Sequence, residues 1–231
     1  RTPGPWHEHL RRLNALHGDR TFPALDDVSS QGGFGARAPR RVDGALGFGR
    51  TRVYAGLQVM DSVVQVYLER PSLRREAEFL TLERVSRRLH RPWVTAPSTR
   101  EAYRAYLTRC RKRSNRSFFV AIQETREIAG VVNISEIVRG SFRSAYLGYY
   151  AFRPHAARGL MSAGLSLVLD HAFGEMELHR LEANVQPGNR ASIRLIRRLG
   201  FRREGLSPKY LKIGGRWRDH ERWAILAEDW R

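Results

Sequence analysis

One stretch in the second half of the chain constrains the fold more than any other. Residues 145–152 are rich in Tyr and Leu, a loop with a single glycine, Gly159, follows, and an amphipathic helix begins at once. Met161, Leu165, Val168, Leu169 and Ala172 recur at i, i+4, i+7, i+8 and i+11, so one apolar stripe runs along a helix expected over 158–173. A strand that hands over to a helix with one apolar face belongs to an α/β layer, in which the stripe lies on the sheet.

The remaining patterning agrees. Strands are expected over 63–69, 118–123, 128–137, 145–152, 180–185, 201–213 and 216–226, the last two meeting at Gly214-Gly215. Helices are expected over 73–89 and 191–199. Another opens at the capping box Ser98-Thr99-Arg100-Glu101 and carries Tyr103, Tyr106, Leu107 and Cys110. The order β-α-α-β-β-β-α-β-α-β-β describes an α/β protein with a mixed central sheet flanked by helices. Residues 1–59 hold nine of the 20 glycines and four of the 10 prolines without periodic apolar pattern, and regular patterning begins near Met60. The expectation is a poorly ordered extension over 1–59, without chemistry of its own, and one folded domain over 60–231.

Composition narrows the function. Lys+Arg is 41 against 23 Asp+Glu, a formal charge of +18, and lysine occurs only at Lys112, Lys209 and Lys212. Such a balance favours polyphosphate or nucleic-acid partners, although an arginine bias is also a matter of genome composition. A single cysteine, Cys110, excludes an internal disulfide framework and a clustered-thiolate metal site, and the histidines show no ligand spacing with a partner cysteine, so no metal is expected. No apolar run reaches eighteen residues and the first twenty residues are charged, so the expected location is the cytoplasm, away from membranes.

Two constellations bear chemistry. Free N–H groups at the helix start after Gly159, with the helix dipole and Arg158, form an anion site suited to a pyrophosphate. Further on, Glu182 lies in an otherwise apolar strand on the same face as Asn184, and Asn189 and Ser192 open the next helix. Taken singly these have plain readings: a carboxylate paired with an arginine, a helix cap, and a first-turn serine.

Together, their order and spacing resemble the GNAT family of acyl-CoA-dependent N-acetyltransferases, and more closely its RimJ/RimL-type ribosomal-protein-alanine branch. The resemblance covers roughly residues 63–230. It rests on Gly130-Val131-Val132-Asn133-Ile134-Ser135, Ile137-Val138-Arg139-Gly140-Ser141-Phe142, Tyr146-Leu147-Gly148-Tyr149, Gly159-Leu160-Met161, Asn189-x-x-Ser192 with Leu199-Gly200-Phe201, Glu204-Gly205, and Gly215-Arg216-Trp217-Arg218-Asp219-His220. It implies the GNAT fold and acetyl-CoA as co-substrate. The strand segment 147–152, with Tyr150, Ala151 and Phe152, would offer backbone groups to the pantetheine arm, and Arg153 would open the segment 153–162 that wraps the pyrophosphate. Ala157, Arg158, Gly159, Leu160, Met161 and Ser162 would wrap the pyrophosphate, and Asn189 and Ser192 would contact the cofactor. The wider family pattern has Gln or Arg where this chain has Ala156, which leaves binding to the backbone and Arg158. Ser192 matches a serine proposed to protonate the departing thiolate, and Glu182 a carboxylate used as a base in the related RimI branch. An N–H near Tyr150 or Ala151 would stabilise the oxyanion. The acceptor implied is the α-amine of an alanine at the N-terminus of a ribosomal protein, with ribosomal RNA as an electrostatic contact. Another protein N-terminus, a polyamine or an amine antibiotic remains open as acceptor, and so does a basic ribosome- or RNA-binding protein without catalysis, supported by the run Arg109–Arg116.

Overall fold

The computed structural model describes residues 65–230. The expected extension over 1–59 and the boundary at Met60 lie outside the described residues. Seven strands form one sheet: β1 (Val66–Glu69), β2 (Arg116–Ile122), β3 (Ile128–Val138), β4 (Ser144–Ala151), β5 (Arg180–Val185), β6 (Arg202–Ile213) and β7 (Arg216–Leu226), in spatial order β1-β2-β3-β4-β5-β7-β6. Every neighbouring pair is antiparallel except β4–β5. A parallel pair needs a crossover, and the helix read from the apolar stripe supplies it.

Four α-helices cover the sheet: α1 (Glu76–His90), α2 (Arg100–Cys110), α3 (Leu160–Asp170) and α4 (Arg190–Arg198). Leu160, Leu165, Val168 and Leu169 of α3 and Ile196 of α4 join Phe118, Val120, Val132, Ile134, Leu147, Leu181 and Ala183 in one core. On the opposite face Phe79 of α1 and Tyr103, Tyr106, Leu107 and Cys110 of α2 pack with Phe119, Val131 and Phe152. Burial on both faces explains why β2 reads as a nearly unbroken apolar run. Each fully buried leucine of this kind contributes about 2 kcal/mol by removal from water. Cys110 is thus a packing residue.

Several local expectations shift by a residue or a turn. A 3-10 turn over Leu73–Arg75 precedes α1. The cap of α2 is Thr99, whose hydroxyl accepts from Ala102 N–H at 3.1 Å, rather than Ser98 with Glu101. α3 starts at Leu160, so Arg158 belongs to the loop, and it runs into a widened π turn over His171–Glu175. Glycine matters at the α3 packing site: a Cβ on Gly164 would collide with both methyls of Val120, so only glycine lets the helix approach the sheet this closely.

Candidate active site

β4 and β5 pair only through Ser144↔Arg180, Ala145↔Leu181 and Tyr146↔Glu182. Beyond that point β4 continues to Ala151 with β3, and β5 to Val185 with β7, but the two no longer meet. The sheet therefore opens along an internal split. Phe152 N–H donates to Ala129 C=O at 2.9 Å. By the alternation of an antiparallel ladder, Tyr150 and Gly148 then turn their main-chain groups onto β3, while Leu147, Tyr149 and Ala151 turn theirs away, toward the split. A cavity of about 630 Å³ fills the opening, lined by Leu147–Ala151, 155–162, Asn184–Gln186, Asn189 and Ser192, among others.

One end of this cavity suits anions. Ala157 and Gly159 both hold positive φ, +61° and +79°, and Gly159 sits at the N-cap of α3 with no side chain capping the helix. Successive amides in such a turn, aimed from a helix start, form a concave donor surface for phosphate oxygens. Arg158, Arg194 and Arg198 also line the cavity. Arg158 also meets His155 Nδ1 at 3.3 Å. Met161 lies over Gly130, where a Cβ would collide with its sulfur, so the glycine of β3 makes room for the first turn of α3.

The expected residues separate into three groups. Tyr150, Ala151, Ala157, Arg158, Gly159, Leu160, Met161, Ser162, Asn189 and Ser192 all line the cavity. Phe152 and Arg153 are not among the residues that line it. The ring of Phe152 is buried edge-on to Phe79, its N–H is held by Ala129, and Arg153 N–H is taken by Ser86 Oγ at 2.8 Å. Glu182 shares a face with Asn184 as expected, but it too lies outside the cavity lining. Arg180 Nε holds its carboxylate at 2.9 Å and also binds Glu204, so Glu182 is one of two carboxylates on the same guanidinium. Of the two N–H groups expected near the oxyanion, the ladder assigns that of Tyr150 to β3 and leaves that of Ala151, with that of Tyr149, facing the split.

Asn189 does cap α4, accepting from Ser192 N–H at 3.2 Å, and this fixes Ser192 in the first turn. The Ser192 hydroxyl meets the Tyr149 hydroxyl at 2.6 Å. Burial pushes the Tyr149 phenol above its usual range, so it stays protonated and holds a hydrogen for the pair. Tyr149 was not singled out from the sequence. The available signal was alternation, which sends Tyr149 toward α4 and Tyr150 to the other face.

The comparisons with known proteins agree with this architecture. A family model described as "Acetyltransferase (GNAT) domain" matches residues 66–202. The chain belongs to the GNAT acetyltransferase family. Among GNAT relatives, the probable N-acetyltransferase YjcK of Bacillus subtilis (strain 168) is 35% identical over 137 residues, 59% of this chain and 76% of that protein. The [ribosomal protein uS5]-alanine N-acetyltransferase of Escherichia coli (strain K12) is 41% identical over 107 residues, 46% of this chain and 55% of that enzyme, so the match spans about half of its length. Mycobacterium smegmatis RimJ, solved in complex with CoA-disulfide, superposes with a TM-score of 0.67 at 28% identity, over 72% of this chain and 84% of that one. The mixed seven-stranded sheet is the GNAT fold. Among the described residues no group of three metal-ligating side chains occurs, and no helix is long and apolar enough to cross a membrane.

Proposed function

We propose that this GNAT protein binds acetyl-CoA in the split and transfers the acetyl group to the N-terminal α-amine of an alanine-initiated ribosomal protein, by direct attack within a ternary complex. The observation that carries the reading is the split itself: unpaired β4 amides at one end of a cavity whose other end is an uncapped, glycine-entered helix start. The Leu147 C=O, the main-chain groups of Tyr149 and the Ala151 N–H fit the amides of a pantetheine arm, and the 157–161 turn with Arg158, Arg194 and Arg198 fits its phosphates. Bound acetyl-CoA supplies the activated acyl group.

The protein's own part is to orient and to move one proton. The N–H of Tyr149 or Ala151 meets the charge that develops on the acyl oxygen. Ser192 Oγ–H protonates the departing thiolate while the Tyr149 hydroxyl donates to the serine oxygen, and the proton that the attacking nitrogen sheds restores the serine hydroxyl. An α-amine, with a pKa of about 7.7–8.0, is partly neutral at pH 7, so it makes little demand on a base and Glu182 need not supply one. A lysine ammonium or a polyamine would need more. The cavity lining supports this acceptor class, because it contains no Asp or Glu among the described residues, and a polycation lacks carboxylates to hold it. The identity to the E. coli uS5-alanine enzyme favours the ribosomal substrate within that class. We place the catalytic domain from about Met60 onward.

Isothermal titration with acetyl-CoA tests the reading, on the full chain, on a chain beginning at Met60, and on Gly159→Trp. The first two are expected to bind with micromolar affinity and the third to lose it, since a bulky L-residue at φ +79° both strains the turn and fills the cradle. A screen of peptides beginning with alanine or serine then reads the acceptor. A folded wild type that binds no acetyl-CoA would overturn the proposal.

A further inference from the structure

We infer that the α1 side of the cavity is a seat for the acceptor amine, built from His90 Nδ1, the Tyr150 hydroxyl and Asn184 Oδ1. The inference rests on the acceptor reading above and names the groups that select it.

Buried polar atoms without a hydrogen-bond partner are uncommon and costly. Three of those among the described residues, His90 Nδ1, the Tyr150 hydroxyl and Asn184 Oδ1, belong to side chains that line this same cavity. They come from three different elements, the end of α1, β4 and β5, yet they share one face of the sheet. Tyr150 packs with the aromatic core under α1, and the His90 ring stands edge-on to it with centroids 5.0 Å apart. Asn184 lies between Ala183 and Val185, which both point into the opposite core, so its side chain takes the α1 side. Gly148 falls on this face of β4, and a Cβ there would meet nothing within 4 Å, so the sheet surface at Gly148 is uncovered.

The chemistry of the three atoms is convergent. His90 Nε2 lies 3.0 Å from Ala151 C=O, and a carbonyl only accepts, so Nε2 bears the proton and Nδ1 presents a lone pair. The same bond ties the ring to Ala151, whose N–H faces the split, and so places the seat beside the reacting carbonyl. Asn184 Oδ1 accepts, and the Tyr150 hydroxyl both accepts and donates. A primary amine brings two N–H groups that acceptors among the three can take, and its lone pair is left free for the acyl carbonyl. No member of the seat carries charge: burial holds His90 below its usual range and keeps it neutral, and the nearby Glu83 is spent on Arg87 at 3.1 Å and lies outside the lining. The seat therefore receives a single neutral amine in preference to a polycation.

The test uses the full chain with acetyl-CoA and two acceptor probes, an alanine-initiated peptide and spermidine. Asn184→Ala and His90→Phe are expected to raise the peptide KM by about fivefold or more each, the effect of one lost hydrogen bond, with the acetyl-CoA Kd unchanged within about twofold. Asn184→Asp is nearly isosteric and guards against misfolding. By placing a carboxylate in the seat, with Arg222 its cross-strand neighbour, it is expected to narrow the preference for peptide over spermidine by about fivefold. Unchanged KM values together with an unchanged preference would overturn the seat and leave N-terminal acetylation standing. A wild type that binds acetyl-CoA but prefers spermidine, or acetylates neither probe, would overturn the acceptor reading and the seat together.

Discussion

Two side chains divide the catalytic expectation between them. Ser192 stands in the cavity against Tyr149, whereas Glu182 is locked to Arg180. Ser192→Ala is expected to lower kcat by about a hundredfold, the usual scale for a lost proton donor, while the Asn189 cap and acetyl-CoA affinity persist. Glu182→Gln is expected to leave kcat within about twofold; steady-state kinetics with a fixed peptide read both, and a large loss in Glu182→Gln would return the base to that position. Asn189 and Ser192 were legible in the sequence because a cap and a first-turn serine are local features. The fate of Glu182 was not. Alternation assigns a side chain to a face but does not name its partner, and Glu204, which completes the network, arrives from β6 across a strand order that the chain order conceals.

At the scale of elements, the stripe from Met161 to Ala172 predicted α3 and its apolar face, since helical periodicity is a property of the segment itself. Its start was misread by two residues because Gly159 adopts a left-handed cap that periodicity does not register. Gly164 is a sharper case. In sequence it is a weak point in a helix, but in the fold it is the contact surface between α3 and β2. Gly164→Ala is expected to destabilise the domain by about 1–3 kcal/mol through overpacking. Combining it with Val120→Ala, which removes the colliding methyls, should restore a measurable part of that loss relative to Val120→Ala alone, as read by chemical denaturation. Additive losses would mean that the two positions do not press on one another. The division of the apolar residues into two cores was invisible for a related reason: β2 buries both faces, and an unbroken apolar run does not say which residue belongs to which.

For the molecule as a whole, three desolvated histidines contribute to the loss of stability in acid. Burial lowers the pKa of His90, His171 and His220 from the ordinary histidine value. The unfolded chain then binds protons more readily than the folded one below about pH 6.5. Their contribution to stability is present above that pH and is lost as pH falls through the lower folded values. Tm is expected to decline between pH 7 and pH 5, and His90→Phe should flatten the decline, as a pH series of thermal melts would show. The charge of +18 acts at the same scale. Arg190, Arg194, Arg197 and Arg203 flank a groove of about 760 Å³ beside α4, separate from the Arg109–Arg116 run. Electrostatic contact with ribosomal RNA through such surfaces predicts that ribosome binding weakens steeply from 50 to 200 mM salt; affinity that does not change with salt would exclude it.

The parting of β4 from β5 gives the sheet a seam. Three residue pairs lace its two halves at one end, and past them each half shows the other a raw backbone border of the kind proteins usually keep at their outer rim. A cosubstrate bound there is a seventh-and-a-half strand in effect, a removable stitch that closes the seam for the length of one turnover. On the proposed reading, the two halves are tied together there only while the cosubstrate is bound, and the seam reopens when the product departs.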